Sequence, residues 1–358
     1  MRKPRAKVDG DAYYHVMSRC ALQTYLLADG EEVKDMFMRM LRRAEYFSGV
    51  KILNYCVMDN HFHLLLFVPK RREVNEAVLR DRVSVLYGKK KAECMFAKWD
   101  ELEKSGNKAI AEKEKSALRK RMYELSEFMK TFKQRFSLWY CSNHDDMEGT
   151  IWQGAFHSVL VEGKHDALGA ISTYITLNPV RAGIVKDAGQ FAWSGYGAAC
   201  SGDIMAKDAL LLGYANGANQ EQKWKAYCAM IKNATAGTAE GKVEREAQKN
   251  TTVDTNSTLL KSGDAGGTET SESDVKCGKG NDSKDKSGND GGKLLRGLAA
   301  TRMRERLISR GLAFGSRKFV EEAIHRAMQQ SGGNGTPSHG YCMGEKRTAL
   351  YFASRHTA

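Results

Sequence analysis

No stretch of the 358 residues approaches the roughly eighteen consecutive apolar residues that a membrane span requires. The opening MRKPRAKVDGDAYYHV also has no apolar core of the kind that marks a secretory signal. The eight cysteines (Cys20, Cys56, Cys94, Cys141, Cys200, Cys228, Cys277 and Cys342) include no CxxC pair, which argues against a zinc module or a disulfide framework. No Gly-rich phosphate loop of the form GxxxxGKS or GxxxxGKT occurs, so a nucleotide-driven helicase is not expected. There is no internal repeat. Together these absences lead to the expectation of a cytoplasmic, nucleoid-associated protein without a membrane partner.

Aromatic residues are missing altogether from 236–292, a segment rich in Gly, Ser, Thr, Asp and Lys. Such a composition cannot bury enough apolar surface to offset its ordering entropy, so this is read as a disordered linker. The linker divides a large N-terminal part from a C-terminal unit over 293–358. It holds eight Lys and Arg against eleven Asp and Glu, a net of −3. The whole chain carries +13, so the remainder carries +16. That positive charge lies on the parts expected to fold, as suits a protein that meets phosphate backbones.

What is present is most distinctive at NYCVMDNHFHLLLFVPK, residues 54–70. Strong strand formers on either side of Met58-Asp59-Asn60 predict two adjacent strands joined by a tight connection. Alternation then puts His61, His63 and Leu65 on one face and Phe62, Leu64 and Leu66 on the other. Around this pair, Tyr13–Ser18 reads as a strand and Val33, Phe37, Met40, Leu41 and Ala44 as a helical stripe ending at Gly49. Residues 70–121, with sixteen basic and nine acidic residues, read as a charged helical insertion, most simply a solvated hairpin. Met122, Leu125, Met129, Phe132 and Phe136 recur at helical spacing, followed by a strand at His157–Val161 and a helix at Asp166–Leu177.

The order β-α-β-β-α-β plus a final helix is that of an α+β, ferredoxin-like split sheet with helices on one face. Residues 1–200 form this domain and 201–235 a helical extension. In such a topology the histidine face meets the final helix.

That helix ends in STYITLNPVRAGIV, where Tyr174 and Asn178 stand four residues apart on one face. Two imidazoles and a carboxamide oxygen from His61, His63 and Asn178 form a ligand set for a divalent cation such as Mg²⁺ or Mn²⁺, and Tyr174 a nucleophile. Each has a structural alternative. Asn178-Pro179 is also a good helix start, and Tyr174 has the spacing of a core residue.

The chain resembles the REP-associated tyrosine transposases, of the single-tyrosine HUH transposase family. The resemblance runs from about Ala12 to Ala198 through YYHVMSRC, CVMDNHFHLLL, SEFMKTFKQRFSLWY, GTIWQGAFHSVLV, YITLNPVRAGIV and FAWSGYG. It implies that His61 and His63 bind a divalent metal and that Tyr174 is the nucleophile. The third ligand in better-known relatives is a glutamine four residues after the tyrosine; that place is Asn178 here. It further implies single-stranded or hairpin DNA as substrate, cut to leave a 5′-phosphotyrosine and a free 3′-hydroxyl, by a monomer or homodimer. Lys130, Lys133, Arg135 and Arg181 are the candidate phosphate contacts, with Trp139 or Trp152 for base stacking. Tyr140 and Tyr196 are assigned to packing or DNA contact.

The C-terminal unit reads as two helices around GLAFGS, with Ser316 as N-cap, Phe319, Val320, Ala323, Ile324 and Ala327 as a buried stripe, and Arg317 and Lys318 opening the second helix as candidate DNA contacts. Two other functional classes remain open: a relaxase or rolling-circle nickase, which shares the HxH and tyrosine chemistry, and a domesticated binder that grips DNA hairpins without cutting them.

Overall fold

The computed structural model describes residues 8–144, 150–212, 219–236, 312–331, 340–343 and 350–353. The linker expected at 236–292, apart from its first residue, and the first of the two C-terminal helices lie outside the described residues. Four strands form the centre: β1 (Ala12–Arg19), β2 (Lys51–Val57), β3 (His61–Val68) and β4 (His157–Val161). Their order in space is β2-β3-β1-β4, all antiparallel neighbours, as in a split β-α-β-β-α-β sheet. Helix α1 (Glu31–Ser48) joins β1 to β2 and stops where Gly49 adopts φ 73°, a left-handed conformation open to glycine without penalty.

Alternation along β3 sorts the sheet's two faces as the sequence predicts. Phe62, Leu64 and Leu66 enter the core beneath α1 and α5 (Leu125–Asn143), whereas Leu65 enters the core beneath α6 (His165–Thr176). The α1/α5 side is an aromatic cluster in which Phe37 and Phe132 meet edge to face at 4.7 Å, with Phe62, Phe136 and Trp152 around them. Each fully buried phenylalanine contributes on the order of 1.5–3 kcal/mol, so this layer fixes the sheet rigidly. Helices therefore cover both faces: α1 and α5 on one, α6 on the other. The two crossover helices share one face and the final helix meets the histidine face, as the topology leads one to expect.

The insertion is a three-helix unit: α2 (Glu76–Tyr87), α3 (Lys89–Lys104) and α4 (Lys108–Arg119). It is more than a solvated hairpin because Leu79, Val83, Leu86, Ala92, Trp99, Ala111 and Leu118 give it a core of its own. Buried Lys115 is held by Glu103 at 2.6 Å and Glu76 at 2.9 Å, so the high charge density is partly internal pairing.

After α6 come the one-turn α7 (Asn178–Arg181), α8 (Gly195–Cys200), α9 (Ile204–Leu212) and α10, residues 220–236. The segment before α8 runs along the outer edge of β2, where Val57 N–H donates to Trp193 O at 2.9 Å. Gly197 there admits no side chain, since a Cβ would lie 2.0 Å from Phe191 O.

The GLAFGS segment differs from the sequence reading. Ala313–Gly315 is a strand, β5, not a connection between helices; it runs parallel to β4 and continues the sheet. Two further strands, β6 (Gly340–Met343) and β7 (Leu350–Ala353), extend the order to β4-β5-β7-β6. The reason is β4's edge, whose N–H groups need acceptors: Leu160 N–H donates to Leu312 O and Glu162 N–H to Phe314 O, both at 2.9 Å. Ser316 then caps α11 (Arg317–Ser331), its hydroxyl accepting from Phe319 N–H, and Val320, Ala323 and Ala327 are buried as the stripe predicts. The described residues from 312 onward belong to the same compact unit as the described residues up to 235.

Candidate active site

Antiparallel pairing and alternation bring three histidines to the α6 face of the sheet. His61 and His63 come from β3, and His63 stands opposite Met17 of β1, so His15, two residues earlier on β1, is its diagonal neighbour on the same face. The His61 and His63 rings are 5.0 Å apart, and the His15 and His63 rings 5.2 Å. Tyr174 of α6 closes the group from above, its ring 5.6 Å from His63 and 5.7 Å from His15, both edge to face. The structure thus brings together His61, His63 and Tyr174, and adds His15.

Helix α6 is fastened over the sheet by a buried polar knot. Asn54 sits at a bulge in β2, and its Nδ2 donates to Ser172 O at 3.1 Å, Ser172 Oγ at 2.8 Å and Thr176 Oγ1 at 3.1 Å. The Tyr227 hydroxyl of α10 joins the same two hydroxyls at 2.8 and 3.2 Å. Burial pushes the Tyr227 phenol up to about 12. Ser172 and Thr176 flank Tyr174 in sequence, so the knot sets the height and rotation of the helix that carries it.

The ring nitrogens of His61 are differentiated by their surroundings. His61 Nδ1 is 2.7 Å from Asn60 Oδ1, an acceptor only, so Nδ1 carries the proton and Nε2 the lone pair. His63 Nδ1 is 3.0 Å from His15 Nε2. Burial, reinforced by the positive charge of Arg19, lowers the His61 pKa to about 4. Burial, followed by the charges of His15 and His61, holds His63 well below the usual histidine value. Both imidazoles are therefore neutral at pH 7, the form that can ligate a cation.

Asn178 does not cap the helix that follows it. Its Nδ2 turns back to Tyr174 O at 3.1 Å and Ile175 O at 3.5 Å, taking up carbonyls at the end of α6. Among the described residues no three His, Cys, Asp or Glu side chains converge as a cation site. A metal here would thus have two imidazoles from β3 and its remaining ligands from an amide, water or substrate oxygen. The donor set suits an ion that accepts mixed nitrogen and oxygen ligands and keeps open positions.

The other candidate residues are spread more widely. Arg181 lies at the site: its guanidinium sits 4.2 Å from the Tyr174 ring centroid and donates to Tyr174 O at 2.6 Å. Lys133 reaches back from α5 to Ser18 Oγ at 2.9 Å and Gly154 O at 2.7 Å, beside the Trp152 ring. Lys130 projects into solvent, with Glu127 as an ion-pair neighbour at 4.0 Å. Arg135 instead faces the insertion, over the Tyr87 ring at 5.4 Å, with a buried Nε that has no hydrogen-bond partner among the described residues. Trp139 packs against Phe136 and Tyr140; Trp152 is buried and donates to Ser137 Oγ at 2.9 Å. Arg317 and Lys318 are exposed at the start of α11, with Arg317 paired to Glu321 at 2.7 Å. Tyr140 is a core residue whose hydroxyl donates to Asp29 Oδ2 at 3.2 Å, and Tyr196 packs between Trp224 and Tyr227.

Sequence reasoning missed His15 and Asn54. His15 had a signal: in YYHVMSR the alternation that buries Tyr14 and Val16 on one face puts His15 on the other. Asn54 had none beyond a polar residue inside a buried strand.

The chain is similar to two solved structures and to one family. A solved structure described as a REP-associated tyrosine transposase bound to a REP hairpin is 14% identical, covers 61% of this chain and 93% of its own, and has a TM-score of 0.34. A putative transposase from Deinococcus radiodurans is 17% identical over 51% of this chain and 92% of its own, with a TM-score of 0.23. No curated protein matches the chain. The family described as "Transposase IS200 like" matches residues 10–103, a range that holds His15, His61 and His63 and ends before Tyr174. Residues 10–103 are thus similar to the IS200-like transposase family.

Proposed function

We propose that the protein nicks single-stranded, hairpin-bearing DNA through Tyr174 and rejoins the strands, using a divalent metal held by His61, His63 and Asn178. The observation that carries the reading is the ring of Tyr174 standing 5.6 Å from His63, on a helix from outside the matched family segment. A cation bound at the histidines would polarise a non-bridging phosphate oxygen and offset charge on the leaving oxygen.

The chain's own groups supply the rest. Tyr174 Oη attacks phosphorus; the new O–P bond forms as the P–O3′ bond breaks, leaving a 5′-phosphotyrosine and a 3′-oxygen that takes up a proton. The phenol gives up its own proton to solvent or a nearby base, and the Arg181 guanidinium over the ring provides a fixed positive charge beside the developing phenolate. Reversal with a second 3′-hydroxyl reseals the strand, so the phosphodiester energy is retained in the protein–DNA bond. Lys130 and Lys133 on α5, with Arg181, are the proposed phosphate contacts; Arg317 and Lys318 would add a contact from α11. The depressed histidine pKa values leave both rings neutral, the form that can ligate a cation.

The test is cleavage of hairpin-bearing single strands with Mg²⁺ or Mn²⁺. Wild type should cut, His61→Ala and His63→Ala should lose cutting by several orders of magnitude while retaining DNA binding, and excess chelator should abolish it. Undiminished cleavage by the double variant, or in chelator, would overturn the reading. Hairpin binding without any cutting by wild type would favour the domesticated binder instead.

A further inference from the structure

His15 is a buried histidine that the proposed mechanism leaves unused, yet it touches both groups on which that mechanism depends. Its contact with His63 has a specific shape. The two rings are within 11° of parallel, and their centroids are 5.2 Å apart while Nε2 and Nδ1 are 3.0 Å apart. The difference of 2.2 Å is about twice the radius of an imidazole ring, so the rings lie side by side, nitrogen facing nitrogen. Stacked rings would give a smaller centroid separation for the same nitrogen distance. Two imidazoles ligating one ion aim their lone pairs at a common point to one side; here the two nitrogens aim at each other. The contact is a hydrogen bond rather than half of a cation site.

Only one proton can occupy that bond when both rings are neutral. If His63 Nδ1 donates, His63 presents a bare Nε2, and His15 accepts and carries its own proton on Nδ1. If His15 donates, His63 keeps an N–H at Nε2 and cannot ligate. Beside it, His61 is already fixed with a bare Nε2 by the carboxamide oxygen of Asn60. We propose that His15 is the positioning residue of the site: it accepts the Nδ1–H of His63, locks the Nε2-bare tautomer, and so prepares His63 as a ligand without touching the metal itself. Outer-shell acceptors of this kind both orient the ring and raise its basicity. His15 also abuts the edge of the Tyr174 ring at 5.7 Å, so the residue that sets the tautomer also bounds the nucleophile's position. This inference rests on the reading of His61 and His63 as ligands.

The experiment combines nitrogen NMR on ¹⁵N-histidine-labelled, metal-free full-length protein with Mn²⁺ titration followed by electron paramagnetic resonance. In wild type, His63 should show a protonated Nδ1 and a bare Nε2, and Mn²⁺ should bind. His15→Phe keeps a flat ring without an acceptor; His63 should then lose its single tautomer, and Mn²⁺ affinity should fall by about 10–100-fold. His15→Gln, whose carboxamide oxygen can accept the same proton, should recover much of that loss, a rescue that a packing role would not produce. A protonated Nε2 on His63 in wild type would overturn the inference. So would His15→Phe that leaves tautomer and affinity unchanged while His61→Ala and His63→Ala abolish binding; that outcome would spare the metal reading. Absence of Mn²⁺ binding by wild type would overturn both.

Discussion

Asn178 illustrates how one side chain can serve two ends. Its amide nitrogen ties the last carbonyls of α6, and on the proposed reading its oxygen is the metal ligand. The two uses separate in mutants. Asn178→Gln keeps both groups on a longer arm and should retain measurable cleavage. Asn178→Leu loses the helix-end bond, at about 0.5–1.5 kcal/mol, and the ligand with it, so its activity should fall much further than its stability. Melting curves alongside cleavage rates decide this, and full specific activity in folded Asn178→Leu would remove the ligand role. His61 gives a prediction in pH. Its folded pKa of about 4 lies below the ordinary 6.5, so the folded state binds fewer protons than the unfolded one between those values. The metal-free protein should therefore lose stability as pH falls from about 6.5 to about 4, by on the order of 3 kcal/mol from this group. In His61→Gln that part of the pH slope should flatten. A slope identical to wild type would mean that His61 is not buried as a neutral ring.

At the scale of elements, the position of the nucleophile depends on how α6 is fixed to β2. Asn54→Ala removes three buried donations at once and leaves the Ser172 and Thr176 hydroxyls with one partner fewer each, which should cost roughly 1–3 kcal/mol. It should also slow cleavage without weakening Mn²⁺ binding, because the histidines sit on β3 and only the tyrosine's helix is loosened. Parallel loss of metal affinity would contradict that division of labour. Much of this arrangement was legible in advance. Period-two alternation in NYCVMDNHFHLLLFVPK assigned both faces of β3, and the apolar spacing of α1 and α5 assigned the layer beneath them, because burial on one side leaves a periodic trace. The knot at Asn54 was not legible, since its three partners lie about 120 residues away and no local pattern announces a long-range polar contact. Nor was β5, three residues too short for any period, whose strand state is imposed by the open edge of β4. Likewise, a diagonal pair such as His15–His63 becomes visible only once strand register is known.

At the scale of the whole molecule, the C-terminal stretch is a structural part of the sheet that carries the site. Glu162, at the end of β4, accepts from Ser316 N–H at 2.6 Å and from its hydroxyl at 3.0 Å, while Phe314 enters the core beneath α6. Phe314→Ala should cost about 3–5 kcal/mol, a large share of a domain's total stability, and a chain ending before β5 should expose the β4 edge and associate. Size-exclusion chromatography and thermal melts test this; a truncated chain that stays monomeric with unchanged melting would show that β5 adds nothing. The central claim is chemical and names one atom, Tyr174 Oη. The most direct measurement is a denaturing gel of 3′-labelled, hairpin-bearing single strands incubated with protein and Mn²⁺. The account predicts a protein-linked labelled band for wild type and for Tyr140→Phe, and none for Tyr174→Phe. A band that persists in folded Tyr174→Phe, or cleavage by wild type with no linked band at all, would contradict it.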